Sequence, residues 1–484
     1  MAPSSDDDHK CGWREHALQL AARVADVEAQ LATLRRTAFG KKSEKAKKLP
    51  PVPKPPPTPE AIDEKRRTRA AAREATIETE IEHTPVPDAD KVCSLCGGTD
   101  FRPVGTGKSC DVIEFVGAHF RRRRMVRETL ACRCGGCVVT APAPPRWSPK
   151  TRFASSFVAY LAVSKCLGSM PFYRLESMAK CATAPIARST MNELFHRAAA
   201  KLCRLSEPLF EVIRGDAIVL ADETTIKLTT QSSKAFIWTF LGHGLTGYRF
   251  ALGRGGSVAT DALKDSKGVL VCDDYAGYNA LFAKGHRRRA GCLAHARRKY
   301  FDAGNVPEAC DALALIGFIY AVEHEAERRG VLGSAEHLEL RRSFSNPAYY
   351  ALLQLARRVG KLHAPKTLLG RAARYTTSNS RALRAFLDDV RIPPDNNRSE
   401  NAIRIVALGR KNWLFVQSED AGKNVAIVYS LITSCERASV NPISYLTDVL
   451  DRIDGVDDAD LRELLPDRWK PPAKPARPVD FDVE

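Results

Sequence analysis

The sequence has no apolar run that approaches the about 20 residues of a membrane-spanning helix, so a membrane protein is not expected. Its first residues lack the charged lead and the apolar stretch of a secretory signal, so export is not expected either. Aromatic residues make up only 7% of the 484 positions, but 44% are hydrophobic, which is enough to build packed cores. These absences predict a cytoplasmic protein of about three domains.

Acidic residues are the scarcer charged class: 57 Asp and Glu stand against 74 Lys and Arg, a formal net charge of +17. A surplus of this size favours a polyanionic partner such as nucleic acid. The 14 cysteines are clustered and not spread as a disulfide framework. In a chain without an export signal, such cysteines predict metal ligands and ordinary buried thiols.

Three segments precede the first predicted domain. Residues 1–12 are polar and predict a disordered leader. In residues 13–40, apolar positions recur in steps of four and three, which predicts a short dimerising coiled coil; one amphipathic helix packed on its own domain is the alternative. Residues 41–90 are basic and rich in proline, which predicts an extended linker that either neutralises phosphates or makes no ordered contact.

Two cysteine pairs with matching spacing lie in residues 91–145, which we predict to be a zinc-binding domain. The proposed ligands are Cys93, Cys96, Cys134 and Cys137. Four thiolates suit a tetrahedral, structural Zn²⁺, and a set of free thiols is the alternative. Cys132 is a rival for the place of Cys134, and Cys110 is a spare thiol.

Four consecutive arginines lie between the two cysteine pairs. They are Arg121, Arg122, Arg123 and Arg124. A zinc-clamped strand that presents four guanidinium groups predicts a surface that contacts DNA phosphates. A solvated strand edge without a partner is the alternative.

Two apolar runs each end at an acidic residue. Residues 217–221 precede Asp222, and residues 269–272 precede Asp273. We interpret both runs as buried strands that end at these carboxylates, so that adjacent strands bring the two side chains to one divalent ion. Further strands are predicted at 236–241 and 248–252, and together they resemble the antiparallel meander of a ribonuclease-H-like sheet.

The third carboxylate is expected from Glu400, because three carboxylates can hold two hard cations for phosphoryl transfer. Two prolines stop the preceding element, Asp395 can cap, and a helix follows. Arg404 lies four positions after Glu400 and so shares its side of the helix. Taken alone, this pair is more typical of a surface ion pair, and an Asp at a strand end is more typical of a turn.

Several motifs, in order, give the chain a resemblance to the insertion sequence 66 family of bacterial DDE transposases over nearly its whole length. The motifs lie at residues 39–44, 138–142, 220–224, 273–279, 292–299, 395–404, 409–415, 430–433 and 441–446. The resemblance implies an N-terminal coil, a zinc-binding region, a multidomain α/β (α+β) chain with a ribonuclease-H-like core, and a small C-terminal element. Two positions depart from the family pattern: Asp274 replaces a usual Gly, and Leu293 replaces a usual Trp.

The segments expected after the zinc-binding domain alternate between helical regions and the catalytic core. They are a helical DNA-binding subdomain at 152–213, the first part of the core at 214–303, a helical insertion at 304–392, the second part of the core at 393–430, and a C-terminal element and tail at 431–484.

The resemblance implies that Asp222, Asp273 and Glu400 are the catalytic triad and that they hold two Mg²⁺ ions, with Mn²⁺ as a possible substitute. The expected supporting residues are His295, Arg404 and Asn397. The expected DNA contacts beyond the arginine run are Arg298, Arg410, Lys411 and Trp413, although Trp413 is equally suited to a hydrophobic core. Cys292 and His295 are spaced like half a zinc site without a nearby second half, so we expect His295 to orient DNA or a carboxylate, or to be structural.

The expected activity is excision and integration of an insertion sequence by 3′-end cleavage and strand transfer. The expected partners are double-stranded transposon ends and target DNA, further copies of the chain on DNA, and accessory proteins of the same element, with a nucleoid-associated location in a bacterium. Two alternatives stay open. One is a nuclease on the same sheet that never joins strands, and the other is a zinc-dependent DNA-binding regulator without enzymatic activity.

Overall fold

The computed structural model describes residues 129–131, 138–140, 147–148, 151–182, 186–230, 234–283, 285, 287–413 and 415–472. The predicted leader, coil and linker lie outside the described residues, as do the four proposed zinc ligands and the four consecutive arginines. Strands β1 (Thr129–Ala131) and β2 (Val138–Thr140) pair in antiparallel fashion. The six positions between them carry Cys132, Cys134 and Cys137 in the sequence.

Fifteen α-helices occur in the described part of the chain. In chain order they are α1 (Ser155–Cys166), α2 (Phe172–Cys181), α3 (Arg188–Leu202), α4 (Ser206–Gly215), α5 (Ser257–Leu263), α6 (Asn279–Ala283), α7 (Leu293–Asp302), α8 (Pro307–Arg329), α9 (Ala335–Leu340), α10 (Asn346–Leu362), α11 (Leu368–Ser378), α12 (Ser380–Leu383), α13 (Asn397–Trp413), α14 (Glu419–Arg437) and α15 (Pro442–Arg452). None of the helices in the described ranges is both long and apolar enough to cross a membrane.

A mixed five-stranded sheet lies at the centre. Its strands are β3 (Ile218–Lys227), β4 (Lys234–Gly242), β5 (Leu245–Ala251), β6 (Gly268–Val271) and β7 (Arg287–Ala290), in the spatial order β5-β4-β3-β6-β7. The first three strands form an antiparallel meander, and β6 and β7 add to β3 in parallel. The turn from β4 to β5 has positive φ at both His243 and Gly244, a conformation that matches the twist of a hairpin. This mixed sheet, flanked by many helices, is consistent with a ribonuclease-H-like core.

The prediction that the first apolar strand ends at Asp222 is wrong. Strand β3 continues to Lys227, because Thr224, Thr225 and Ile226 are β-branched residues that favour an extended backbone and pair with β4. It is the parallel neighbour β6 that ends, at Val271, level with Leu220. Asp222 therefore lies on a continuing strand, beside the place where β6 stops.

Helix α14 covers the free edge of the sheet. The backbone N–H groups of Thr246 and Tyr248 on β5 donate to the hydroxyls of Ser434 (2.9 Å) and Ser430 (2.8 Å). A helix with serines at this spacing satisfies donors that an exposed edge strand would offer to another chain. Because α14 runs through residue 430, the predicted boundary between the second part of the core and the C-terminal element falls within one helix.

The helices before the sheet share a hydrophobic core with the sheet and with the C-terminal helices. Phe195 on α3, Trp238 on β4, Leu431 on α14 and Leu446 on α15 belong to one buried cluster. A hydrogen bond of 2.8 Å from Ser155 to Asp451 also joins α1 to α15. The segment 152–213, predicted as a subdomain, is thus packed into the same core as the sheet.

Helices α8, α10 and α11 of the insertion form a hydrophobic core together with α7, which precedes the insertion. Arg341, only 2% exposed, holds the insertion to the chain that leads into α13. Its guanidinium binds Glu323 on α8 at 2.8 and 2.7 Å and donates to the carbonyls of Phe386 (2.7 Å) and Ile392 (3.0 Å). The insertion therefore fixes where the segment carrying Glu400 begins.

Candidate active site

Asp222 lies on β3 where the strand has lost its parallel neighbour. The parallel pairing of β3 with β6 ends at Leu220 and Val271, two positions before Asp222 on one chain segment and two positions before Asp273 on the other. Burial raises the pKa of Asp222 to about 7, and the negative charges of Glu223, Asp273 and Glu400 contribute to the rise. A hydrogen bond of 2.9 Å from the backbone N–H of Glu223 to Asp222 Oδ1 opposes it. Asp273 and Glu400 thus lie close enough to Asp222 for their charges to contribute to the rise of its pKa.

The two adjacent aspartates after β6 have different partners. Asp273 Oδ1 accepts the backbone N–H of Tyr275 at 3.0 Å, and its charge acts on Asp222. Asp274 forms an ion pair with Arg289 (3.1 Å) and accepts a hydrogen bond from Asn379 (3.1 Å). The carboxylate of Asp274 is therefore bound by Arg289 and Asn379. The carboxylate of Asp273 lies near Asp222 on β3.

Glu400 lies in the first turn of α13, and the residues before the helix fasten it to the sheet. Asn396 donates from its side chain to the carbonyl of Ala221 at 2.8 Å, one position before Asp222. Asp395 accepts the backbone N–H of Asn397, two positions further on, at 3.0 Å; this is an Asx turn just before the helix, whose first carbonyl acceptor is Asn396. Asn397, predicted as a supporting residue, directs its side-chain amide to Asp395.

Two side chains of α7 lie against Glu400. His295 Nδ1 is 3.9 Å from Glu400 Oε1, and Arg298 Nη2 is 3.9 Å from Glu400 Oε2. Both His295 Nδ1 and Glu400 Oε1 are buried atoms without a hydrogen-bond partner among the described residues. No further metal ligand lies close to Cys292 and His295 in the sequence. In the structure, Glu400 lies beside them, and one ligand atom of each of the three residues lies within 4.8 Å of the other two.

The remaining predicted residues of α13 differ in their surroundings. Arg404 and Lys411 are exposed. Arg410 donates from Nη1 to the Thr224 hydroxyl at 2.9 Å and so ties the helix to β3. Trp413 is only 8% exposed and lies in the main core, with Lys165 Nζ 5.0 Å from its ring. In this packing the indole is not available to stack on a base, so its core role is the one that the structure supports.

Glu223, next to Asp222, has a buried carboxylate that no sequence pattern singled out. Its side chain is 1% exposed, accepts a hydrogen bond from Tyr278 (2.7 Å) and pairs with Arg254 (2.8 Å). Burial raises the pKa of its carboxyl, and these two partners oppose the rise. Adjacent residues of a strand point to opposite faces of the sheet, so the carboxylates at 222 and 223 have different surroundings. Two adjacent acidic residues were therefore the sequence signal that the second carboxylate has its own hydrogen-bond or ion-pair partners.

Asp222, Asp273 and Glu400 supply the oxygen ligands that Mg²⁺ prefers. In this structure, one ligand atom from each of the three carboxylates does not fall within 4.8 Å of the other two. A buried carboxyl with a pKa near 7 also favours a neighbouring cation. The residues present therefore fit the expected magnesium site.

Comparisons with known proteins agree with these features. The family model described as Transposase IS66 family matches residues 150–424, the IS66 C-terminal element matches 430–466, and the zinc-finger binding domain of transposase IS66 matches 90–135. The last match implies zinc in that region, and it ends before Cys137. These matches confirm the resemblance inferred from the motifs.

Two proteins of Sinorhizobium fredii (strain NBRC 101917 / NGR234), named uncharacterized protein y4jD and uncharacterized protein y4qI, are each 29% identical to the chain. The alignments cover 93% and 96% of this chain and 96% and 87% of those proteins. Since the first family model spans more than half of the chain, the protein belongs to the IS66 family of transposases, DDE enzymes that act as polynucleotidyl transferases.

Proposed function

We propose that Asp222, Asp273 and Glu400 form the catalytic triad and hold two Mg²⁺ ions, or Mn²⁺ in their place, for excision and integration of an insertion sequence. The observation that carries the proposal is the hydrogen bond of 2.8 Å from Asn396 to the carbonyl of Ala221, which joins the start of the helix carrying Glu400 to the residue before Asp222. The raised pKa of Asp222, to which the charges of Asp273 and Glu400 contribute, agrees with this placement. Two acidic side chains far from Asp222 in the sequence act on its buried carboxyl, and burial of like charges without a cation is unfavourable.

The proposed reaction has two phosphoryl transfers. Water first attacks the phosphodiester at the transposon end, breaks the P–O3′ bond and leaves a 3′-hydroxyl. The oxygen of that hydroxyl then bonds to a target phosphorus and displaces the target's own 3′-oxygen, which takes up a proton. When bound, the metal ions would activate the attacking oxygen and stabilise the leaving one.

The protein's own residues would place these ligands and the DNA. Asn396 and Arg410 hold α13 against β3, so they position Glu400 relative to Asp222. Arg298 on α7 lies beside Glu400. Arg404 is exposed and lies one turn after Glu400 on α13. We assign Arg298, Arg404 and Lys411 to phosphate contacts, since guanidinium and ammonium groups next to such a site neutralise the DNA backbone.

The proposal extends to the zinc region and to the assembly. Cys93, Cys96, Cys134 and Cys137 are the proposed ligands of a structural Zn²⁺, consistent with the zinc-finger match that begins at residue 90. The proposed partners are double-stranded transposon ends and target DNA, bound by several copies of the chain, with accessory proteins of the same element.

The test is a strand-transfer assay with the purified full chain, labelled DNA carrying the element's ends, a target plasmid and Mg²⁺. We expect cleaved ends and covalently joined products, and we expect both to be absent with Asp222→Ala while DNA binding persists. Cleaved but never joined products would instead support the nuclease alternative. Unchanged products with Asp222→Ala would overturn the assignment of the triad.

A further inference from the structure

Glu400 has a second set of potential metal ligands on the side facing α7. Among the described residues, Cys292, His295 and Glu400 form the one group of three metal-ligand side chains whose ligand atoms lie within 4.8 Å of one another. We propose that these three residues form a Zn²⁺ site, separate from the proposed magnesium site, and that Zn²⁺ bound there inhibits the enzyme by holding Glu400. The inhibitory part rests on the proposed function; the binding part does not.

The fold builds this group from two chain segments. Cys292 immediately precedes α7, and His295 follows in its first turn, so that both side chains lie on one side of the helix start. The backbone N–H of Leu293 donates to the carbonyl of Pro394 at 3.0 Å, and that of Asn396 donates to Cys292 Sγ at 3.2 Å. These two bonds hold the start of α13, and with it Glu400, against the start of α7.

The geometry is that of ligands close to a shared ion. Zn²⁺ binds histidine nitrogen and carboxylate oxygen at about 2.0–2.2 Å, so two such atoms on one tetrahedral ion lie about 3.4 Å apart. His295 Nδ1 and Glu400 Oε1 are separated by 3.9 Å. This distance is too long for a hydrogen bond and about half an ångström longer than the spacing of two tetrahedral ligands, so a small side-chain movement brings both atoms to one ion.

The unsatisfied polar atoms give a second, independent indication. His295 Nδ1 and Glu400 Oε1 are both buried, and neither has a hydrogen-bond partner among the described residues. Buried polar atoms without partners are uncommon in native proteins and often mark an ion or water. An ion bound between these two atoms and the fully buried Cys292 would satisfy both.

The donor atoms select the metal. Sulfur, nitrogen and one carboxylate oxygen suit Zn²⁺, whereas a site made only of carboxylates suits Mg²⁺. Three protein ligands leave a fourth position for water, as in other open zinc sites. Since Glu400 belongs to both proposed sites, its carboxylate cannot fully serve the magnesium site while it is bound to Zn²⁺.

The binding test uses Co²⁺ as a spectroscopic substitute for Zn²⁺ on the full chain. We expect wild-type protein to bind one more Co²⁺ per chain than Cys292→Ala, with a loss of thiolate-to-cobalt charge-transfer absorption in that variant. Cys435→Ala, which also removes a fully buried thiol, is the matched control and should keep the wild-type spectrum. His295→Ala should lose the same ion, which keeps the test informative if Cys292→Ala folds poorly. Equal Co²⁺ content in wild type, Cys292→Ala and His295→Ala would overturn the site.

The inhibition test adds Zn²⁺ to the Mg²⁺-dependent strand-cleavage reaction, with each variant normalised to its own rate without Zn²⁺. Loss of one ligand should raise the Zn²⁺ concentration for half-inhibition by about tenfold or more in Cys292→Ala, and not in Cys435→Ala. Equal inhibition of the two variants would overturn the inhibitory role. If no cleavage occurs under any condition while the Co²⁺ difference persists, the proposed function fails and the zinc site stands.

Discussion

The two sides of Glu400 differ in both ligand chemistry and construction. On the sheet side, Asp222 and Asp273 offer only oxygen, and the register of β3 with β6 sets their relative position. On the helix side, Cys292 and His295 offer sulfur and nitrogen, and two hydrogen bonds between chain segments set theirs. The proposed magnesium site and the proposed zinc site share the carboxylate of Glu400. They are distinguished by their other ligand atoms and not by their position.

Different parts of the chain hold the two aspartates and Glu400 in place. The sheet side depends on strand pairing that is continuous through Leu220 and Val271. The helix side depends on the short segment before α13, which Asn396 and Arg341 hold in place. We therefore expect a substitution in the insertion to disturb the position of Glu400 more than those of the two aspartates.

The largest expected effect separates the two adjacent aspartates on the sheet side. Asp273→Asn should lower strand cleavage by about a thousandfold or more, because it removes a charged ligand from the reaction centre. Asp274→Asn is the control: its carboxylate pairs with Arg289 and Asn379, so cleavage should fall only a few-fold. Single-turnover cleavage rates measure both. A larger loss in Asp274→Asn than in Asp273→Asn would exchange their roles.

The next effect concerns Arg341, which holds the helical insertion to the chain segment before α13. Arg341→Ala leaves Glu323 and several backbone carbonyls without their buried partner, so it should lower the free energy of unfolding by about 3–5 kcal/mol. Arg342→Ala removes an exposed side chain whose ion pair with Glu339 is 3.9 Å long, so it should change stability by at most about 1 kcal/mol. Urea denaturation of both variants measures the difference. Equal stabilities would mean that Arg341 does not anchor the insertion.

A smaller effect concerns the charge of Asp222 in protein without added Mg²⁺. Its pKa of about 7 in the folded state lies above the usual value near 4, so the folded state favours the protonated carboxyl. The stability present below about pH 4 should therefore be lost as the pH rises towards 7, by about 2–4 kcal/mol.

The control for this pH effect is Asp222→Asn, in which the loss between pH 4 and 7 should be absent. Thermal denaturation over this pH range measures the loss of stability. Added Mg²⁺ at pH 7.5 should restore the stability of the wild type and leave that of Asp222→Asn unchanged. A wild-type profile parallel to that of the variant would show that Asp222 is not the group responsible.

The sheet and its carboxylates could be anticipated from the sequence because their signals are local. Apolar runs and β-branched residues predict strands, and an acidic residue after such a run predicts a place at the sheet rim. The end of β3 was placed too early because only the apolar run was followed. The β-branched residues 224–226 were a local signal for the longer strand, and pairing with β4 adds a support that comes from elsewhere in the chain.

The helix side of the site could be predicted only in part. The spacing of Cys292 and His295 was visible, but their third neighbour, Glu400, lies 105 positions beyond His295 and reaches it through the fold. The pairing of Glu223 with Arg254 and Tyr278 was hidden for the same reason. Burial decided the place of Trp413, and its motif alone favoured neither a base contact nor the core.

The smallest expected effect concerns DNA binding by α13, the helix that carries Glu400. Arg404→Gln removes one exposed cation, so binding to the element's end should weaken a few-fold, and the slope of log affinity against log salt should fall by about one. Arg452→Gln on α15 also removes an exposed cation, but one that pairs with Asp448, and it should leave the slope unchanged. Fluorescence anisotropy at several salt concentrations measures both slopes. If the two variants change the slope equally, the loss reflects net charge rather than a phosphate contact beside Glu400, and the DNA path would have to be sought on the sheet side alone.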